Sequence, residues 1–73
     1  MNAKQAIKKI KSERTEFMGQ VVEKYATPIQ VREQLRIMAE SGDIRPSEYW
    51  KALKITWPQM SNGEKRYEEW RLQ

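Results

Sequence analysis

The side chains that most often perform chemistry in enzymes are scarce in this sequence. Its 73 residues include no histidine and no cysteine, which excludes imidazole acid–base catalysis, thiolate nucleophiles, disulfides and Cys/His metal sites. Paired carboxylates such as Glu68 and Glu69 stand among basic residues, without the apolar surroundings that shift a pKa. The three glycines are isolated, so no glycine-rich phosphate loop is present. We expect a protein that is not an enzyme and that uses no cofactor and no metal.

The sequence gives a clearer indication of binding than of catalysis, because its net charge is concentrated at the N-terminus. The chain has 14 basic and 10 acidic residues, a formal net charge of +4. The only charged side chains among the first eleven residues are the lysines Lys4, Lys8, Lys9 and Lys11. The remaining residues balance to zero. A basic segment on a neutral body predicts attraction to an acidic partner, either nucleic acid or an acidic protein surface. A solubilising surface is the alternative interpretation.

The lysines belong to an amphipathic helix that we predict over residues 3–25. Its apolar side chains recur with the helical period: Ile7, Ile10, Phe17, Met18, Val21, Val22 and Tyr25. Lys4, Lys8 and Lys11 form a row along one edge of this apolar stripe. They stand near the helix N-terminus, where the helix dipole destabilises cations by roughly 0.3–1 kcal/mol each. Because the fold gains nothing from this placement, we interpret these three lysines as partner-binding residues.

Two shorter helices follow. A capping box at Thr27 with proline in the first turn predicts the start of a second helix, and Ser41 and Gly42 predict its end. A third helix is predicted to begin at Pro46 or Ser47, and residues 53–57 suit either a helix or a strand. The expected fold class is all-α, a small bundle of about three helices with a flexible C-terminal tail.

The second and third predicted helices, over residues 27–53, resemble a helix-turn-helix, whose second helix can read bases in the DNA major groove. The predicted recognition helix offers Tyr49, Trp50, Lys51 and Leu53. It lacks the Asn, Gln and Arg side chains that form bidentate contacts with base edges. An ordinary pair of core helices explains the same residues, so DNA binding is the alternative function.

The C-terminal residues differ in composition from the rest. Between residues 59 and 73 the only aliphatic side chains are those of Met60 and Leu72. A short helix with such a narrow apolar edge is marginal alone in water, although Ser61 and Glu64 form a capping box. We therefore divide the chain into a helical domain, 1–58, and a flexible tail, 59–73, that becomes helical on binding. Tyr67 and Trp70, three positions apart, are predicted to be aromatic anchors for a partner.

From the lysine-rich start, through residues 23–32 (EKYATPIQVR), to the tail around Tyr67 and Trp70, the chain resembles the small RNA-polymerase-binding transcription regulators of lytic Xanthomonas phages. The resemblance lies in the length of the chain and in the order of residues along it. It implies binding to the β and β′ subunits of the host polymerase, inhibition of initiation by displacement of sigma factor, and read-through of terminators. It carries over no functional residue.

The sequence also bears on where the protein works. Its longest apolar run is three residues, 37–39, and no apolar stretch follows the lysine-rich start. We therefore expect no membrane span and no signal peptide. Together with the resemblance, this predicts a monomer in the cytoplasm of the bacterial host. Its partner is then polymerase, in competition with sigma factor, and any nucleic-acid contact is expected to be non-specific.

Overall fold

The structure, a computed structural model, describes all residues from 1 to 73. Its elements, in chain order, are α1 (Ala3–Ser12), β1 (Arg14–Phe17), β2 (Gln20–Glu23), α2 (Pro28–Ser41), α3 (Pro46–Thr56) and α4 (Asn62–Arg71). A 3-10 turn over Trp57–Gln59 connects α3 to α4. The expected all-α fold of three helices is therefore wrong, since the chain forms four helices and a two-stranded antiparallel sheet. None of the helices is long and apolar enough to cross a bilayer.

The predicted helix over residues 3–25 is wrong beyond Ser12, where the chain turns into a β-hairpin. Phe17 pairs with Gln20, so the connecting loop has only two residues, Met18 and Gly19. Their φ angles are 51° and 78°. Two consecutive residues with positive φ match the twist of paired strands and are incompatible with a continuous right-handed helix over residues 3–25.

The hairpin residues produced a misleading helical pattern. The spacing of their apolar side chains fits a helix, yet Phe17, Met18 and Val21 are exposed rather than buried. The β-branched side chains of Thr15, Val21 and Val22 fit a pleated strand better than a helix. Val22 is the only strand residue that is partly buried, so the hairpin contributes little to the core.

Three helix starts follow the capping chemistry of the sequence. Complete capping boxes open α1 at Asn2, α2 at Thr27 and α4 at Ser61. At the other end of α2, Gly42 adopts φ 85° and its N–H donates to the carbonyls of Ala39 and Met38. Glycine enters this left-handed conformation without strain, and it turns the chain toward α3.

The hydrophobic core lies where α1, α2 and α3 meet. Its buried members are Ala3, Ala6, Ile7, Ile10, Val31, Leu35, Ile44 and Ala52. Alanines at the helix contacts let the backbones approach closely, while the branched side chains fill the space between them. This packing fixes the orientation of α1, and with it the direction in which the lysines of α1 point.

The residues expected to form a tail include a helix, α4, whose only buried residue is Glu68. Glu68 meets Arg32 of α2 and Arg71 of its own helix. The third helix ends at Thr56, which assigns most of residues 53–57 to helix rather than strand. The division into a domain, 1–58, and a mobile tail, 59–73, stays a prediction.

Candidate functional site

Lys4, Lys8 and Lys11 lie together along one shallow groove of about 520 Å³. We call it the basic groove and define it by its charged and apolar lining residues: Lys4, Lys8, Lys11, Arg14, Glu23, Ile7 and Ile55. Four cations and one carboxylate give the groove a positive charge. The structure thus brings together the three lysines that the sequence predicted as partner-binding residues. The predicted place of Lys11 near a helix N-terminus is wrong, because α1 ends at Ser12 and Lys11 lies in its last turn, where the helix dipole favours a cation.

The position of the lysines follows from the residues that α1 buries. Ile7 and Ile10 are 8% and 4% exposed and anchor α1 against the other helices. Positions 4, 8 and 11 are spaced by four and three residues, so they share one edge of the helix. Ile7 on α1 and Ile55 on α3 supply the apolar floor between the cations.

Arg14 is the groove cation that the sequence analysis missed. Its guanidinium Nη1 donates to the carbonyls of Lys11 (2.7 Å) and Glu13 (3.1 Å), which holds it beside the end of α1. The hairpin register pairs Arg14 with Glu23, and this pairing brings both residues to the groove. A continuous helix would have placed Arg14 and Glu23 more than two turns apart. Only the hairpin signal at Met18 and Gly19 could have revealed this pairing.

None of the three groove lysines has an ion-pair partner. The ion pairs of the structure join Arg32 and Arg71 to Glu68, Arg36 to Glu40, and Lys51 to Glu48. The ammonium groups of Lys4, Lys8 and Lys11 are therefore available to an acidic partner.

Glu48 fixes the N-terminal end of α1, beside the groove. Its Oε1 accepts a hydrogen bond of 2.9 Å from the Ala3 N–H, and its Oε2 lies 3.0 Å from Lys51 Nζ. The pKa of Glu48 lies below its ordinary value. The larger cause is the hydrogen bond from Ala3, and the next is the hydrogen bond from Lys51. Glu48 thus ties α1 to α3 and neutralises Lys51, while the groove lysines stay unpaired.

Tyr67 and Trp70 lie on the exposed side of α4. They are 44% and 69% exposed, and their ring centroids are 6.0 Å apart. Neither lines the basic groove. The predicted site residues therefore form two surfaces, the basic groove and the aromatic pair, Tyr67 and Trp70.

A further cavity of about 230 Å³ lies between α3 and the end of α4. Its lining is Arg32, Trp50, Leu53, Lys54, Trp57 and Leu72. Trp50 is 57% exposed, so this surface is apolar and open to solvent. The sequence assigned Trp50 either to a recognition helix or to an ordinary core helix, and it gave no signal that Leu72 would lie beside it.

The structure contains no group of three or more Asp and Glu side chains placed to hold a metal ion. Searches of protein families, curated proteins and solved structures give no match to this chain.

Proposed function

We propose that this protein is a phage-encoded regulator that binds the bacterial host's RNA polymerase. In this proposal it acts as a monomer in the host cytoplasm and catalyses no reaction. It contacts the β and β′ subunits, displaces sigma factor, inhibits initiation and promotes terminator read-through. The observation that supports it is the basic groove, with three unpaired lysines above an apolar floor. The identity of the partner rests on the sequence resemblance.

The groove suits an acidic protein segment better than a nucleic acid. Ile7 and Ile55 form an apolar floor on which a partner's aliphatic side chain can pack. The groove contains no aromatic side chain on which a base could stack, and Glu23 repels phosphates. Unpaired lysines around an apolar floor steer an acidic partner toward the groove and speed its association.

The aromatic pair supplies a second contact. Tyr67 and Trp70 stand on α4, outside the basic groove, so the two surfaces can engage different parts of a large partner. Aromatic side chains are frequent in the energetically dominant part of interfaces. Two linked contacts raise the overall affinity well above that of either contact alone. This arrangement suits a partner with two subunits.

A helix-turn-helix DNA-binding regulator is the alternative function. The α2–Gly42–α3 arrangement favours it, since two helices are joined by a short turn. Against it, the pairing of Lys51 with Glu48 leaves Lys54 as the one unpaired cation on α3. Trp50, the large exposed side chain of α3, has a single N–H donor and cannot make the bidentate contacts that specify a base.

Competition for core polymerase tests the proposal. Purified bacterial core polymerase is incubated with labelled sigma factor and increasing amounts of this protein, and bound sigma is measured. We expect loss of bound sigma, with a salt dependence that reports the lysine contacts. Sigma that stays bound at saturating protein contradicts the proposal. Salt-dependent, sequence-selective binding to duplex DNA in a parallel assay favours the alternative.

A further inference from the structure

Arg32 and Glu68 form a buried ion pair between α2 and α4. Arg32 is 2% exposed and Glu68 is fully buried. Arg32 Nη1 donates to the Leu53 carbonyl (2.6 Å) and to Thr56 Oγ1 (2.8 Å), so α3 holds the guanidinium in place. Burial lowers the pKa of Arg32, and Glu68 opposes this shift. The carboxylate from α4 therefore supplies the charge that this buried cation needs.

Glu68 fits the Arg32 site incompletely. Arg32 Nε lies 3.6 Å from Glu68 Oε1 and makes no hydrogen bond. Glu68 Oε2 is also buried without a hydrogen-bond partner. Unsatisfied buried polar atoms reduce the net gain from an ion pair. A carboxylate placed differently in the same site can therefore bind Arg32 better than Glu68 does.

The rest of α4 adds little apolar contact. Glu68 is its one buried residue, while Tyr67 and Trp70 are exposed. Leu72, just past the helix, is 49% exposed and only borders the 230 Å³ cavity beside Trp50. A helix held mainly by one carboxylate opens more readily than helices that share a hydrophobic core.

We propose that the cleft around Arg32 is a binding site for a helix that carries a carboxylate, which α4 occupies in the free protein and a partner helix can take over. The ligand has a carboxylate that pairs with Arg32 and an apolar side chain, larger than Leu72, that fills the adjoining cavity. Glu68 and Leu72 define this pattern, because both lie on the α4 side of the cleft. The inference concerns the Arg32 cleft alone and holds whether or not the partner is polymerase.

The linkage of α4 to the cleft determines how the site is tested. A short connection gives α4 an effective concentration on the order of millimolar at the cleft. A separate peptide competes poorly with this tethered helix and binds well only after α4 is released. Glu68→Gln removes the charge while keeping the shape of the side chain, so it is the releasing variant. Because it also removes the pair with Arg71 within α4, peptide binding is the readout that reports the cleft itself. Glu69→Gln, the same change at the exposed neighbour, is the matched control.

The experiment uses the full chain and a labelled peptide of residues 61–73. In Glu68→Gln we expect amide exchange in α4 to accelerate at least tenfold relative to α1, α2 and α3. We expect the peptide to bind this variant at least tenfold more tightly than it binds the parent or Glu69→Gln. The same peptide carrying Glu68→Gln lacks the carboxylate and is expected not to bind.

Three results overturn the proposal. The first is equal binding of the two peptides, which removes the role of the carboxylate. The second is unchanged α4 exchange in Glu68→Gln. The third is a combination of two observations. The Glu68→Gln variant unfolds as a whole, and in the unmodified protein hydrogen exchange shows that α4 opens only together with α1, α2 and α3. Opening of α4 alone in the unmodified protein supports the proposal even if the variant fails to fold.

Discussion

Lys8 and Lys9 are adjacent in the chain and lie on different sides of α1. Lys8 lines the basic groove with Ile7, whereas Lys9 lines a separate cavity with Ile10 and Tyr25. One residue of helix rotates the side chain by about 100°. Replacing either lysine changes the net charge equally, so the pair separates an effect of the groove from an effect of total charge.

Glu48 makes stability depend on pH. Its pKa lies below the ordinary value of 4.5 because Ala3 and Lys51 stabilise the carboxylate. A depressed pKa in the folded state adds stability above the unfolded pKa, and this stability is lost as pH falls through the folded pKa. We expect the melting temperature to fall on acidification below about pH 4.5. Glu48→Gln should melt lower than the parent at pH 7 and lose less on acidification.

Thermal unfolding followed by circular dichroism between pH 3 and pH 7 checks the Glu48 prediction. Glu69→Gln is the control, since Glu69 is exposed. Parallel curves for the parent and Glu48→Gln would show that the contact with Ala3 contributes no pH-dependent stability.

The hairpin turn predicts opposite effects for two substitutions. Met18 has φ 51° and Gly19 has φ 78°. Asparagine tolerates this conformation better than methionine, and alanine tolerates it worse than glycine, by about 1 kcal/mol. Met18→Asn should therefore slow amide exchange in β1 and β2, and Gly19→Ala should accelerate it. No atom lies near the position of a Cβ at Gly19, so steric clash does not complicate the comparison. Equal exchange rates in both variants contradict this prediction.

The aromatic pair should matter for binding and not for folding. Tyr67→Ala with Trp70→Ala removes two exposed side chains, which changes stability by less than about 0.5 kcal/mol each at most surface positions. Loss of interface aromatics commonly reduces affinity by about 2 kcal/mol or more. Thermal unfolding and sigma competition on the same double variant measure both quantities.

Ile37→Ala is the matched control for the aromatic pair, because Ile37 is also a large exposed apolar side chain, on α2. A melting temperature many degrees lower for the aromatic variant would place Tyr67 and Trp70 in the core. Unchanged stability together with unchanged competition would remove them as a binding surface and leave Trp50 and Trp57 as the next candidates.

Local chemistry in the sequence predicted the helix boundaries that depend on capping. The box at Thr27 and the turn at Gly42 appear in the structure as expected, because a cap is decided by residues within one turn. The hairpin was missed because the apolar spacing around Phe17 satisfies a helical period. Periodicity does not report whether side chains are buried, and Phe17 is 65% exposed.

Contacts between residues far apart in the chain could not be predicted from the sequence. Ala3 and Glu48 are 45 positions apart, and nothing in either segment indicates their hydrogen bond. Glu68 occurs in a charged segment, whose composition is typical of an exposed surface. It is nevertheless buried, where it pairs with Arg32. The lysine row was predictable because three residues on one helix edge need only helical geometry. Its neighbour Arg14 required recognition of the hairpin, and Ile55 required the complete fold.

The most direct measurement is the affinity of purified bacterial core polymerase for two triple variants of equal charge. One carries Lys4→Gln, Lys8→Gln and Lys11→Gln in the basic groove. The other carries Lys9→Gln, Lys24→Gln and Lys65→Gln outside it. We expect the groove variant to bind at least tenfold more weakly and with a flatter salt dependence, while the control variant binds nearly as the parent does. Equal affinities for the two variants, or no binding by the parent, would contradict the proposal that the basic groove binds polymerase.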